Sequence, residues 1–166
     1  MQETPDENRR VRTGTVVTAT VTRVEVYGVF TEYRGCEILV LIPETSWIAS
    51  FASCDQFASV GDLLRVRVIA AASGRYSGSV REVYPESNPW DGKSPLHEGE
   101  TIRARVVRRV QAADRCKGKP GLLMELRPGA YAMLCEPLGD LTPGSTCDVR
   151  IEHVTEGRHA VKIARS

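Results

Sequence analysis

The side chains best suited to chemistry in this sequence are a run of cations in its second half. Residues 103–119 contain seven basic side chains and a single acid, Asp114. The seven are Arg103, Arg105, Arg108, Arg109, Arg115, Lys117 and Lys119. A local excess of positive charge is the electrostatic footprint of a phosphate contact. A solvated strand face followed by a basic loop explains the run equally well, so charge alone leaves both interpretations open.

The residues that usually carry catalysis or bind metals form no familiar pattern. The histidines are His97, His153 and His159, and their spacing with Cys147 matches no usual zinc site. The sequence has neither the nucleophile elbow of hydrolases nor a P-loop. We therefore expect a protein that is not an enzyme and that uses no cofactor or metal.

Composition favours an ordinary globular protein. The chain has 166 residues and a formal net charge of +1, which fits one domain or two small ones. No apolar run approaches the ~18 residues of a membrane span, and the N-terminus is polar, so we expect a cytoplasmic protein without membrane contact. The five cysteines include no C-x-x-C pair, which favours free thiols, most of them in the core.

The chain repeats itself. Five positions of the segment 61–75 recur, 83 residues later, in the segment 144–158. Four positions of the segment 14–21 recur, 85 residues later, in the segment 99–106. Two matched segments in the same order, at nearly the same offset, predict two copies of one fold.

Both copies show the alternation of half-buried strands. Val17, Ala19 and Val21 alternate with polar residues, and glycine-containing turns separate such runs. The only helical stretch of the first copy lies near 44–60, between its third and fourth strands. We therefore predict an all-β protein of two consecutive five-stranded OB-fold barrels, with a short helix in the first.

The predicted organisation has four parts. They are a polar N-terminal tail at 1–10, a first OB domain at 11–84, a Pro-rich linker at 85–98 and a second, degenerate OB domain at 99–166. Trp90, inside the linker, is expected to pack against the first barrel, because a buried indole removes much apolar area from water. Trp47 is expected to close the end of a barrel as a core residue.

The first copy resembles a known family. The motif from Tyr27 to Phe30 is the most specific part, followed by Val60 to Asp62 and by the turn Gly74-Arg75. Together they are similar to the RNA-binding domain repeated in the S-one protein of the small ribosomal subunit. The resemblance covers roughly residues 11–84, and the second copy shows it far less. It implies a five-stranded OB barrel that binds RNA, usually single-stranded, with modest sequence preference.

The resemblance also implies where RNA binds. The aromatic positions of the family's RNA face correspond to Tyr27 and Phe30, and the basic turn residue corresponds to Arg75. Leu41 stands at the family's histidine position and Ala71 at its aspartate position, so these two features are lost. The secondary candidates are Tyr33, Arg34 and Arg81.

The two rings share a surface only if the strand is irregular. Residues three apart in a flat strand point to opposite faces, so Gly28 must permit a bend or bulge. Otherwise one ring, or both, fills the barrel core. Exposed rings would stack on RNA bases, whatever the identity of the bases.

The second copy has no aromatic motif but a longer first loop. Residues 111–121 exceed the corresponding turn by about nine residues and carry Arg115, Lys117 and Lys119. The first inter-strand loop flanks the ligand face of OB folds, so these cations are candidates for contacts with an RNA backbone. A degenerate barrel kept for packing is the alternative.

Two functions fit the sequence. The first is a non-catalytic protein that binds single-stranded RNA in translation or RNA metabolism, with the ribosome or an RNA-processing complex as its partner. The second is an OB-fold protein-interaction or scaffold module with weak or no RNA binding. Exposed rings beside Arg75 favour RNA, whereas an apolar patch continuous with Leu41 favours a protein partner.

Overall fold

The computed structural model describes residues 11–135 and 139–166, and nearly half of them lie in strands. The N-terminal tail at 1–10 lies outside the described residues. The strands are β1 (Val16–Val24), β2 (Gly28–Tyr33), β3 (Cys36–Leu41), β4 (Leu63–Ala72), β5 (Arg75–Ser79), β6 (Thr101–Val110), β7 (Gly121–Arg127), β8 (Ala130–Leu134), β9 (Thr146–Thr155) and β10 (Ala160–Arg165). The all-β prediction and the two five-stranded sheets are confirmed.

The chain divides into two compact units that interleave along the sequence. Of the described residues, the first unit holds 11–45 and 53–83. The second unit holds 46–52 and 84–166. A short piece of the connection between β3 and β4 therefore belongs to the second unit.

The first unit is a closed barrel with the strand order β1-β2-β3-β5-β4. All its pairings are antiparallel except that of β3 with β5, which sets Ile38 beside Tyr76. Gly78 makes this parallel closure possible, because an added Cβ there would lie 2.3 Å from Val66 Cγ1 and 2.7 Å from Ile38 Cγ2. Alternate residues of β1, β2 and β3 fill the interior, as Val29 and Val40 do.

The prediction of a short helix near 44–60 is wrong. The connection from β3 to β4 contains two single 3₁₀ turns, Ile42–Glu44 and Cys54–Gln56. Between them, the consecutive residues Trp47 and Ile48 are both buried in the core of the second unit. The Trp47 and Ala49 N–H groups donate to the Gly129 and His159 carbonyls, so backbone groups that an α-helix would pair within itself are bonded to distant residues instead.

The two units repeat each other strand by strand. Val17 pairs with Val66 in the first, and the matching residues Ile102 and Val149 pair in the second. The first strand of each unit also carries a β-bulge, within 21–23 and within 106–108. The second sheet has the order β10-β9-β6-β7-β8, in which no ladder joins β8 to β10 among the described residues.

Residues 46–52 take the place of the missing ladder. The Ser46 hydroxyl oxygen accepts a hydrogen bond from the Tyr131 backbone N–H at 2.9 Å, and the Ser50 hydroxyl donates to the Tyr131 carbonyl at 2.6 Å. The Ala49 N–H donates to the His159 carbonyl at 2.8 Å. Since Tyr131 lies on β8 and His159 precedes β10, this segment bridges the two unpaired strands.

Both tryptophans are core residues of the second unit. Trp47 is 7% exposed, and its indole N–H donates to the Tyr84 carbonyl at 3.0 Å. Trp90 packs partly buried against the same core, stacks on the His159 ring at 5.0 Å and donates its indole N–H to the Trp47 carbonyl. The expectation that Trp90 packs against the first barrel is therefore wrong.

The cysteines follow the prediction only in part. Cys36, Cys54 and Cys147 are free, but Cys116 and Cys135 form a disulfide across 19 residues. The bond ties the long loop between β6 and β7 to the end of β8. Burial, with a smaller contribution from the Asp55 carboxylate, raises the pKa of the Cys54 thiol to about 11, so this thiol stays protonated at neutral pH.

Losing the disulfide should destabilise the second unit. A cross-link that closes a loop of this length stabilises a protein by roughly 3 kcal/mol, largely by restricting the unfolded chain. We expect a reductant to lower the urea midpoint of the wild-type protein accordingly. The variant with Cys116→Ser and Cys135→Ser should have the lower urea midpoint with or without the reductant. A wild-type midpoint that does not change on reduction would contradict the assignment of the disulfide.

Candidate nucleic-acid interface

The outer surface of β2 and β3 carries the two aromatic residues singled out in the sequence. Val29, Ile38 and Val40 point into the barrel, so their strand neighbours point outward. The strand register sets Phe30 beside Leu39 and Gly28 beside Leu41. We call the surface formed by Tyr27, Phe30 and Leu39 the aromatic face.

The structure brings the two rings together. The centroids of Tyr27 and Phe30 lie 6.2 Å apart, with the ring planes at 84°. Tyr27 is 50% exposed and Phe30 is partly exposed. The chain bends at Val26 and Tyr27, directly before β2 begins, so strand alternation does not govern the direction of the Tyr27 side chain.

Only glycine fits at position 28, because β3 leaves no room there for a side chain. A Cβ at this position would lie 2.9 Å from the Val40 carbonyl oxygen, 3.1 Å from Leu39 Cδ1 and 3.4 Å from Leu41 Cα. Because two of these three atoms belong to the backbone of β3, a larger residue would push β2 and β3 apart.

Gly28→Ala should therefore lower the stability of the first unit. Overpacking of this kind typically costs about 1–3 kcal/mol, which chemical denaturation would detect as a lower midpoint. Gly157→Ala is the matched control, because a Cβ at Gly157 meets no heavy atom within 4 Å. Equal midpoints for the two variants would show that the close approach of β3 does not matter.

Arg23 is a residue of this site that the sequence reasoning missed. The β-bulge in β1 sets Arg23 opposite Phe30, and its guanidinium carbon lies 3.9 Å from the centroid of the Phe30 ring. The side chain is 58% exposed and forms an ion pair with Glu25 at 3.6 Å. The signal in the sequence is that two polar residues, Thr22 and Arg23, follow a strictly alternating run.

Arg75 lies on the same outer surface but further along it. The parallel register sets Ser77 beside Leu39, so Arg75, two residues earlier in β5, reaches the level of Glu37. Glu37 is itself paired with Glu32 on β2. The far end of the outer surface therefore combines one cation with two carboxylates.

The secondary candidates occupy other places. Arg81 forms an ion pair with Glu44 at 3.4 Å, with both side chains mostly covered, so it serves the fold. Tyr33 ends β2 and Arg34 begins the hairpin turn that follows, where the guanidinium lies 5.1 Å from the Tyr33 ring centroid. Tyr33 follows Tyr27 by six residues, so the turn begins about 20 Å from Tyr27 along the strand.

Apolar side chains extend the aromatic face. Leu41, at the family's histidine position, is 45% exposed and Val26 is 64% exposed. Ala71, at the aspartate position, is exposed on β4 opposite Tyr76 and offers no polar group. The surface around Tyr27 therefore combines stacking rings and a cation with an apolar margin.

The three cations of the long loop lie in the second unit. Arg115, Lys117 and Lys119 line one groove with a volume of about 490 Å³. The Arg115 guanidinium donates a hydrogen bond to the Ala49 carbonyl at 2.8 Å, which fixes its position. The structure thus brings these three residues together, as the sequence suggested, and adds the walls of a groove.

Comparison with known proteins agrees with the resemblance found in the sequence. The family model described as "S1 RNA binding domain" matches residues 10–75. Small ribosomal subunit protein bS1 of Staphylococcus saprophyticus is 26% identical over 143 residues, which cover 83% of this chain and 36% of that protein. The bS1 protein of Streptococcus pneumoniae is 24% identical over 160 residues, covering 93% of this chain and 39% of its own. The chain thus spans less than two fifths of the length of these relatives.

Solved structures resemble parts of the chain. GSP13 from Bacillus subtilis is 28% identical, with a TM-score of 0.42, over 51% of this chain and 65% of its own. A chain of the a/eIF2alpha–aDim2p–rRNA complex from Pyrococcus horikoshii is 27% identical, with a TM-score of 0.43, over 46% of this chain and 48% of that chain. In residues 11–135 and 139–166, no helix has the length and apolarity needed to cross a membrane.

Proposed function

We propose that this chain, whose residues 10–75 match the S1 RNA binding domain, binds single-stranded RNA without catalysing a reaction. The observation that carries the proposal is the pair of rings on the aromatic face, with Arg23 beside them. Bases stack on aromatic side chains for about 1–3 kcal/mol each, with little dependence on sequence. A guanidinium at the edge of the stack can hold the phosphate that follows a stacked base.

Charges on the outer surface limit the length of RNA that the first unit holds. Glu32 and Glu37 form a pair of carboxylates beyond Phe30, and they repel phosphates. The strand should therefore cross β2 and β3 near Gly28. Arg75 then contacts an RNA strand only if the RNA passes beside the two carboxylates. Tyr33 and Arg34 contact an RNA strand only if the RNA extends past the hairpin turn. Arg81, held by Glu44, has no part in this arrangement.

The cellular setting belongs to the proposal as well. The relatives named as bS1 are small ribosomal subunit proteins, so we place this protein in translation or RNA metabolism in the cytoplasm, with the ribosome or an RNA-processing complex as partner. Its matched region covers only part of those relatives, and its second unit has no aromatic motif.

Fluorescence anisotropy of labelled oligonucleotides tests the proposal. The full chain should bind single-stranded RNA saturably, and the affinity should fall as salt rises, because phosphate contacts release counterions. Single-stranded DNA of the same sequence measures the preference for RNA. Absence of RNA binding at low salt would overturn the proposal.

A protein-interaction module is the second candidate, and the exposed apolar margin at Val26 and Leu41 favours it. Leu41→Gln separates the two functions, since it replaces the apolar margin with a neutral polar side chain and leaves the rings and Arg23 in place. Unchanged RNA affinity with loss of a protein partner would favour the second candidate.

A further inference from the structure

The groove in the second unit has the size and shape of a small-molecule site. It lies between β8 and β10, beside Ala49 and Ser50 of the bridging segment, and holds about 490 Å³, within the usual range for ligand pockets. Its floor is apolar and includes Met133, Val161 and Ile163, whereas its rim carries the cations of the long loop and Lys162. All the lining residues belong to the second unit. We call it the basic groove.

Among the described residues, the rim holds more positive charge than its neighbours neutralise. Among the described lining residues there is no carboxylate, and within 11–135 and 139–166 neither Lys117 nor Lys119 forms an ion pair. Lys162 lies 3.8 Å from Glu152 on an exposed surface, and such an exposed ion pair is weak, so it neutralises little of the charge of Lys162. His153 is engaged by Glu98 at 2.9 Å. An anion in the groove would relieve the mutual repulsion of the lysines.

The backbone of the loop is held in place before any ligand arrives. The Cys116–Cys135 bond anchors it to β8, and the Ala113 N–H donates to the Lys119 carbonyl at 2.9 Å. Lys117 adopts a left-handed conformation with φ of 57°, which turns the chain within the loop. Preorganised groups bind more tightly, because less conformational freedom is lost on binding.

The combination of floor and rim selects the ligand class. A bare inorganic anion gains nothing from an apolar floor, and an apolar ligand gains nothing from the lysines. A nucleotide offers both a flat base of low polarity and a phosphate. We propose that the basic groove binds a nucleoside monophosphate unit, with its base on the floor near Val161 and its phosphate against Lys117 and Lys119. The inference rests on the proposed function in taking nucleotides as the ligand class, but it concerns a separate site.

Isothermal titration of the full chain with uridine 5′-monophosphate tests this site, with uridine and inorganic phosphate as partial ligands. We expect the nucleotide to bind at least tenfold more tightly than either part. Lys117→Ala with Lys119→Ala should weaken nucleotide binding at least tenfold. The control, Lys93→Ala with Arg103→Ala, removes the same charge from residues outside the groove of the same unit and should bind as the wild type does. Equal binding by both double variants, or equal binding of phosphate and nucleotide, would overturn the proposal.

Two further arms separate this site from the aromatic face and identify the source of the nucleotide. Tyr27→Ala with Phe30→Ala should leave binding of uridine monophosphate unchanged. If that variant loses it, the groove is not the site; if only RNA binding is lost, the groove stands and the two sites are independent. The Tyr27/Phe30 variant is then titrated with an RNA oligonucleotide in its 5′-phosphorylated and 5′-hydroxyl forms. Tighter binding of the phosphorylated form would identify the ligand as the end of an RNA strand. Equally weak binding of both forms, with tight binding of uridine monophosphate, would identify the ligand as a free nucleotide.

Discussion

Removing both rings of the aromatic face, by Tyr27→Ala with Phe30→Ala, should weaken binding of single-stranded RNA at least thirtyfold. Each lost stack is worth about 1–3 kcal/mol, and about 1.4 kcal/mol corresponds to a tenfold change in affinity. Neither ring belongs to the buried core, so the free energy of unfolding of the first unit should change by less than about 1 kcal/mol. Anisotropy titrations at one salt concentration measure the loss.

The control for this experiment removes exposed apolar side chains elsewhere on the barrel. Val60→Ala with Leu63→Ala changes residues that are each 67% exposed and lie outside the aromatic face. This variant should bind RNA as the wild type does. If both double variants bind equally well, the rings do not stack on bases and the aromatic face is not the RNA surface.

Trp47→Ala should destabilise the second unit by about 3–5 kcal/mol, the usual cost of truncating a large buried aromatic side chain. The substitution empties part of the core shared with Leu122 and Ile151, and it leaves the Tyr84 carbonyl without its indole donor. Such a loss is a large share of the stability of a small domain. Chemical denaturation followed by Trp90 fluorescence measures it, because Trp90 packs against the same core.

A graded series keeps this prediction informative if the alanine variant does not fold. Trp47→Phe retains an aromatic ring but loses the hydrogen bond to Tyr84, so it should cost less than the alanine variant. Leu63→Ala, far more exposed, should cost little. A Trp47→Ala protein as stable as the Leu63→Ala protein would show that residues 46–52 are not part of the second core.

Features that depend on neighbours in the sequence could be predicted. Strand alternation and the internal repeat suffice for two barrels, and the structure pairs the repeated residues Val17 and Val66 as it pairs Ile102 and Val149. The motif around Gly28 likewise pointed to the exposed ring pair, since its parts lie within four residues of one another. Local patterns therefore account for most of the fold and for the centre of the aromatic face.

Features that depend on distant partners could not be predicted. Residues 46–52 have a helix-like composition, but their partners, such as Tyr131 and His159, lie about 80 or more residues away, and tertiary packing overrides local preference. The Cys116–Cys135 bond exists because β7 and β8 fold back on each other, which no cysteine spacing reveals. Arg23 reaches Phe30 only through a bulge.

The interleaving of the two units has a consequence for synthesis on the ribosome. Residues 46–52 leave the exit tunnel early, but their partner His159 emerges more than a hundred residues later. At about 5–20 residues per second, this amounts to roughly 5–20 s in which Trp47 and Ile48 have no complete core to enter. The first barrel can close during this time, while its longest loop presents two large apolar side chains to the solvent. The nascent chain is therefore most exposed to chaperones and to aggregation after its first barrel has formed and before its last strand is made.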